Sequence, residues 1–122
     1  MSAAAFKTKP FEDRLEEARG VRERFPDRIP IIIEKDKRAT ELPELDRFKF
    51  LFPSHFFVVQ LLYVLKERLH LPQTDAFYLF INDQAPTNSQ TLQSLYDNNK
   101  NEDGFLYMKY SSQAAFGGEE EE

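Results

Sequence analysis

The sequence predicts an α+β fold of the β-grasp kind, in which one long helix crosses a mixed sheet. Three observations carry that expectation. The chain has 122 residues, about one domain. With 41% hydrophobic residues and 12 Phe, it has enough apolar surface for a core. After an amphipathic amino-terminal segment, its elements run strand, strand, helix, strand, short helix, strand. In such an arrangement the first and last strands lie side by side at the centre of the sheet, and the second is left on an edge. The expected organisation is a helical segment over residues 1–26 docked on a domain over 27–110, followed by a flexible tail over 111–122.

Each element has a local reason. In the first segment Pro10 suits a first helical position, and Glu12 and Asp13 favour the positive end of the helix dipole. Phe11, Leu15, Ala18, Val21 and Phe25 form one apolar stripe on an otherwise charged helix, and Pro26 ends it. Ile29, Ile31, Ile32 and Ile33 make a β-branched strand that is apolar on both sides of the pleat, so both faces should be covered. A charged loop then leads to a second strand over residues 47–53, where Phe48, Phe50 and Phe52 alternate with Lys49 and Leu51.

Ser54 suits the cap of a helix reaching to about Leu69. On its wheel Val58, Leu62, Leu65 and Leu69 form one face, and Phe57, Leu61, Val64 and Arg68 an adjacent stripe. Packing on one sheet does not need both stripes. Either other elements bury the second, which is the favoured reading, or it walls a docking groove. Residues 77–81 read as a short strand, 91–96 as a short helix, and 105–110 as the last strand, entered through Asp103-Gly104.

Composition narrows the chemistry. Zero cysteines remove disulfides, thiolate metal sites and a Cys nucleophile, and fit a reducing compartment. No apolar run approaches the ~18 residues of a membrane span, so the cytoplasm is the expected setting. Net charge is −5, and Glu119, Glu120, Glu121 and Glu122 supply four of the negatives. The basic residues are interleaved with acids, which argues against a nucleic-acid partner. His55 and His70 stand at opposite ends of one helix, roughly 22 Å apart by its rise, too far to share a metal or a proton relay. With 4 glycines there is no phosphate-cradling loop. The expectation is no catalytic residue set, no metal and no resident cofactor.

Two features remain. The edge strand, beside Pro30 and Ile32 and the surplus helix stripe, can accept a strand from an extended peptide, with side-chain pockets supplying specificity. The tail ends in Phe116-Gly117-Gly118 before the glutamates, and a glycine-ended arm can thread a narrow enzyme cleft and present a carboxylate.

The strings Phe11-Glu12-Asp13-Arg14, Phe25-Pro26-Asp27-Arg28-Ile29-Pro30-Ile31-Ile32-Ile33-Glu34-Lys35, Phe50-Leu51-Phe52-Pro53, Arg68-Leu69-His70-Leu71, Phe105-Leu106-Tyr107 and Phe116-Gly117 resemble the autophagy ubiquitin-like modifier family, that of autophagy-related protein eight, GABARAP and microtubule-associated protein light chain three. The likeness is colinear from Phe11 to Gly117. It implies a ubiquitin-like β-grasp with two additional N-terminal helices. It also implies trimming after a glycine by a cysteine protease, and transfer of that glycine by activating and conjugating enzymes to phosphatidylethanolamine, whose two acyl chains give stable anchoring. The implied place of action is the autophagosome membrane, where cargo receptors and adaptors bind through short aromatic-x-x-aliphatic peptides.

By the same resemblance the aromatic pocket comprises Glu17, Val21, Pro30, Ile32, Lys49, Leu51 and Phe105, and the aliphatic pocket Phe50, Phe52, Pro53, Phe56, Leu61 and Val64, with Arg68 beside it. Arg28 and Arg47 are placed to meet acidic residues flanking the peptide. Phe52 and Phe56 look bulky for the family, and Leu61 and Val64 small, so the second pocket is expected to be reshaped at similar volume. Gly104 stands where an aromatic is common and is expected to loosen its loop. Gly117 is the expected acceptor because it directly follows the aromatic, with Gly118 the alternative. A different reading is an unconjugated cytosolic or microtubule-associated scaffold.

Overall fold

The structure is a computed structural model and describes residues 1–113. Its elements are α1 (Ala3–Lys7), α2 (Phe11–Arg24), β1 (Arg28–Lys35), β2 (Lys49–Pro53), α3 (Val58–Arg68), β3 (Tyr78–Phe80), α4 (Leu92–Asn99) and β4 (Leu106–Ser111). The strands form one sheet in the order β2-β1-β4-β3. β1 and β4 are parallel neighbours, with Ile31 opposite Leu106 and Lys35 opposite Tyr110. β2 runs antiparallel to β1 on one edge and β3 antiparallel to β4 on the other. First and last strands therefore occupy the centre, as the element order predicts.

The isoleucine run explains how the layers assemble. Ile29, Ile31 and Ile33 face the main core with Val58, Leu61, Leu65 and Leu69 of the α3 segment, Leu92 and Leu95 of α4, and Met108 and Tyr110 of β4. Ile32 faces the other way, into a second cluster with Ala3 and Phe6 of the α1 turn, Ala18 of α2, and Phe105. β1 is thus covered by α3 and α4 on one face and by α1 and α2 on the other. Phe6 is fully buried and packs edge-on against Phe105 with ring centroids 5.2 Å apart.

Several local expectations are corrected. The amino-terminal segment holds two helices where the apolar stripe alone suggests one. Pro10 caps α2 from outside, and the first helical residue is Phe11. Of the α2 stripe only Ala18 is buried, while Phe11 and Phe25 stay partly exposed under the guanidinium groups of Arg14 and Arg24. α3 starts at Val58, not at Ser54, because the Gln60 side chain accepts the Phe57 amide at 2.8 Å and takes over the capping. Ser54 instead joins a turn, donating its amide to Asp27 and accepting from Gln93. The buried face of α3 runs between the two expected stripes and takes Leu61 from one and Val58, Leu65 and Leu69 from the other.

Candidate functional site

Among the described residues β2 has β1 on one side and no strand on the other, so its outer row of amide and carbonyl groups is unpaired by the sheet. Pairing of Pro30 with Leu51 and of Ile32 with Lys49 puts these four on one face of the β1–β2 ribbon. α2 passes over that face. Its Glu17 and Val21, one turn apart, meet Pro30, Lys49, Leu51 and Phe105 around a cavity of about 370 Å³, which Arg47 and Phe50 also line. Six of the seven residues of the expected aromatic pocket thus share one cavity. The seventh, Ile32, is fully buried among Phe6, Ala18 and Phe105 and is not part of the lining.

Lys49 donates to Glu17 at 2.5 Å, and Lys9 lies 3.6 Å from the same carboxylate. The Lys49–Glu17 pair links β2 to α2 along the cavity. Both side chains are partly exposed, so the pair contributes little to stability and can exchange partners with a charged ligand.

The other face of β2 is closed. Phe50 stacks on Phe52 at 5.3 Å, and Phe52 on Phe56 at 6.1 Å, so three rings fill the space between β2 and α3. Leu61 is fully buried behind them, which makes it a core residue. Of the residues assigned to the aliphatic pocket, Pro53, Phe56, Val64 and Arg68 retain surface, and Phe50 and Phe52 are buried. Arg68 and Arg47 both lie over the Phe50 ring, at 5.4 and 5.9 Å, and Arg68 pairs with Asp46 at 3.5 Å. Arg28 donates to the Leu51 carbonyl at 3.3 Å. Cations therefore flank the edge strand on both sides of Leu51.

One supporting centre has no counterpart in the sequence reading. Asp103 is fully buried and accepts from Arg14 at 2.9 Å, from the Tyr107 hydroxyl at 2.5 Å and from the Phe105 amide at 2.9 Å. Burial, then the bond to Asp103, pushes the Tyr107 hydroxyl up to about 12. This centre ties α2, the source of Glu17 and Val21, to the segment that carries Phe105 into β4. Beside it Gly104 is held firmly, where a loosened loop is the expectation. Its φ is +91°, its carbonyl accepts from Tyr96 at 2.7 Å, and a Cβ there would come within 2.8 Å of the Ala18 Cβ. Only glycine combines that backbone conformation with so close an approach of α2.

Gly117 and Gly118 lie outside the described residues. The last described segment is anchored: Ser112 donates to Glu41, and the Gln113 amide donates to the Ser111 hydroxyl at 3.1 Å. Among the described residues no helix is long and apolar enough to cross a membrane.

Comparison with known proteins agrees with this architecture. The model of the family "Autophagy protein Atg8 ubiquitin like" matches residues 13–117. Autophagy-related protein 8c of Arabidopsis thaliana is 39% identical over 118 residues, spanning 96% of this chain and 98% of its own. Autophagy-related protein 8 of Pichia angusta is 43% identical over 108 residues, 88% of this chain and 86% of its own. Among solved structures, Trypanosoma brucei ATG8 superimposes with a TM-score of 0.83 at 43% identity, covering 96% of this chain and 100% of that one. With its two amino-terminal helices on a β-grasp sheet and this likeness along nearly its whole length, the chain belongs to the Atg8 family of autophagy ubiquitin-like proteins.

Proposed function

We propose that this chain is a lipid-conjugated adaptor of autophagy. A cysteine protease trims it after Gly117, with Gly118 the alternative, and activating and conjugating enzymes join the new terminus to phosphatidylethanolamine. On the autophagosome membrane it then holds cargo receptors and adaptors through short aromatic-x-x-aliphatic peptides. It is a substrate in this sequence, with no catalytic or cofactor-binding role of its own.

The observation that supports the peptide reading is the cavity between α2 and β2 directly beside an unpaired strand edge. A peptide strand added to β2 gains main-chain hydrogen bonds along five residues, and an aromatic side chain fills the cavity. A residue three positions along lies about 10 Å away, over the half-buried surface of Pro53, Phe56 and Val64. Acidic residues flanking the peptide meet Arg28, Arg47 and Lys49. Membership of the family supports the conjugation reading.

Calorimetric titration with a peptide of this pattern tests the groove. Changing the peptide aromatic to Ala should cost about tenfold or more in affinity, equivalent to about 1.4 kcal/mol. Leu51→Ala should reproduce much of that loss. Equal affinity for the Ala peptide would remove the cavity from the account. For conjugation, intact mass of chain recovered from autophagy-induced cells should show loss of the tail and gain of a phosphatidylethanolamine on wild type but not on Gly117→Ala. An unmodified full-length mass would favour an unconjugated scaffold.

A further inference from the structure

We propose that, before trimming, the carboxy-terminal segment of one copy docks in the groove of a second copy, with Phe116 in the cavity between α2 and β2 and the four terminal glutamates against Arg28, Arg47 and Lys49. This rests on the reading above that the cavity takes an aromatic side chain.

Charge is the first argument. Four of the net five negative charges are consecutive at residues 119–122, the densest block of one sign in the chain. Arg28 and Arg47, at the two ends of the groove, have no carboxylate within 4.0 Å among the described residues; one guanidinium bonds the Leu51 carbonyl and the other lies over Phe50. Lys49 is paired, but with a partly exposed Glu17 that already has Lys9 as a second partner. The groove has cations to offer, and the tail is the part of this molecule that can use them.

Side-chain chemistry and spacing are the second. Phe116 is the one large apolar side chain after Tyr110 in the sequence. Glu119 follows it by three residues, about 10 Å in extended chain. Arg28 lies two residues along β1 from Pro30, about 7 Å from the cavity. With the ring in the cavity, the first glutamate reaches Arg28, and those beyond it extend the contact.

Reach decides between the same copy and another. Phe105, at the cavity, precedes β4, and Ser111 ends it, so the two stand about 20 Å apart along the strand. The Gln113 amide turns back onto the Ser111 hydroxyl, and Phe116 is three residues beyond Gln113, so its backbone extends at most about 10 Å further and its ring about 5 Å more. The chain leaves β4 toward Glu41, through Ser112, and α1 covers the intervening sheet with Ala3 and Phe6. The tail therefore falls short of its own cavity, and the groove it would fill is that of a neighbour. Such a head-to-tail contact uses different surfaces on the two copies, so it builds rings where the rotation closes and open chains where it does not. Cleavage after Gly117 removes all four tail glutamates, so trimming also frees the groove for peptide ligands.

Sedimentation velocity of the full chain up to about 1 mM tests this, since a contact of this size belongs in the millimolar to micromolar range. We expect a weight-average coefficient that rises with concentration, with the association constant falling about tenfold as salt is raised from about 0.05 to about 0.5 M. A chain ending at Gln113 should stay monomeric, as should the full chain carrying Arg47→Glu and Lys49→Glu. Mixing those two should restore association, because one supplies the groove and the other the tail. A full chain monomeric throughout, an association that survives tail removal, or a mixture that fails to associate would each overturn the proposal. Titrating the Gln113-terminated chain with a labelled aromatic-x-x-aliphatic peptide separates the two readings. If that peptide binds while full chains do not associate, the groove stands and the self-contact falls; if it does not bind, the groove reading itself fails.

Discussion

Substituting Asp103 by Ala should remove much of the stability of this fold, although the residue sits in a loop. The carboxylate is fully buried, and three donors converge on it at 2.5–2.9 Å: the Arg14 guanidinium, the Tyr107 hydroxyl and the Phe105 amide. Arg14 keeps 17% of its side chain exposed, so its charge is largely withdrawn from water. Deleting one partner of such a pair costs about 3–5 kcal/mol. The stranded amide adds about 1 kcal/mol or more, offset in part where solvent reaches Arg14. A net loss of about 4 kcal/mol compares with a total stability of about 5–15 kcal/mol for a typical domain. Urea unfolding, followed by far-ultraviolet circular dichroism because the chain has no Trp, should show the midpoint falling by about 2–3 M for a slope near 1.5 kcal/mol/M. Asp103→Asn keeps an acceptor and should lose about half as much. Combining Asp103→Asn with Arg14→Met should cost at least about 1 kcal/mol less than the sum of the two, because the second change removes the charge the first one strands. A loss under about 1 kcal/mol for Asp103→Ala, or additivity within about 0.5 kcal/mol for the pair, would refute this account of how α2 is held.

Gly104→Ala meets both a φ of +91° and the Ala18 Cβ at 2.8 Å, so it should destabilise by about 1–3 kcal/mol, seen as a lower thermal midpoint. Adding Ala18→Gly should recover only the part due to the clash. Leu61→Ala should cost about 2–5 kcal/mol in urea while changing groove-peptide affinity less than about twofold, because the side chain is core. A large affinity loss at preserved stability would instead make Leu61 a pocket wall. Burial, helped by Asp103, raises Tyr107 from 10.0 to about 12, and burial, helped by Glu44, raises Tyr110 from 10.0 to about 12. The folded chain thus holds these protons where the unfolded chain has released them. Their contribution is complete below pH 10 and is lost as pH rises toward about 12, so thermal midpoints should fall across that window. Tyr110→Phe should flatten part of the fall.

How much of this was legible in the sequence depended on how local its cause was. The run Ile29, Ile31, Ile32, Ile33 announces a strand covered on both faces because each residue states its own preference, and the cover is there. The turn of helix at Ala3–Lys7 has no periodicity to read in five residues. Its role follows from Phe6 meeting Phe48 and Phe105, partners distant in the chain. Asp103 reads as one more acid in an Asn-Glu-Asp-Gly turn. Its partner Arg14 is 89 positions away, and no spacing rule connects them. The aromatic cavity was legible through family likeness and an edge strand. The ring ladder of Phe50, Phe52 and Phe56 was visible as composition, but whether those rings pack inward or line a surface is settled only by the register of β2 on β1.

The parallel pairing of β1 and β4 also sets how the molecule bears load. The amino end of β1 and the carboxyl end of β4 lie at opposite ends of the ladder, and five residue pairs join the two strands in register. Traction on the carboxyl end, opposed by a pull on the β1–β2 ribbon toward the amino end of β1, slides these strands past one another. All the rungs then resist together, where a hairpin pulled from one end would open a rung at a time. Force applied between the end of β4 and the β1–β2 ribbon is therefore borne by the β1–β4 ladder in shear.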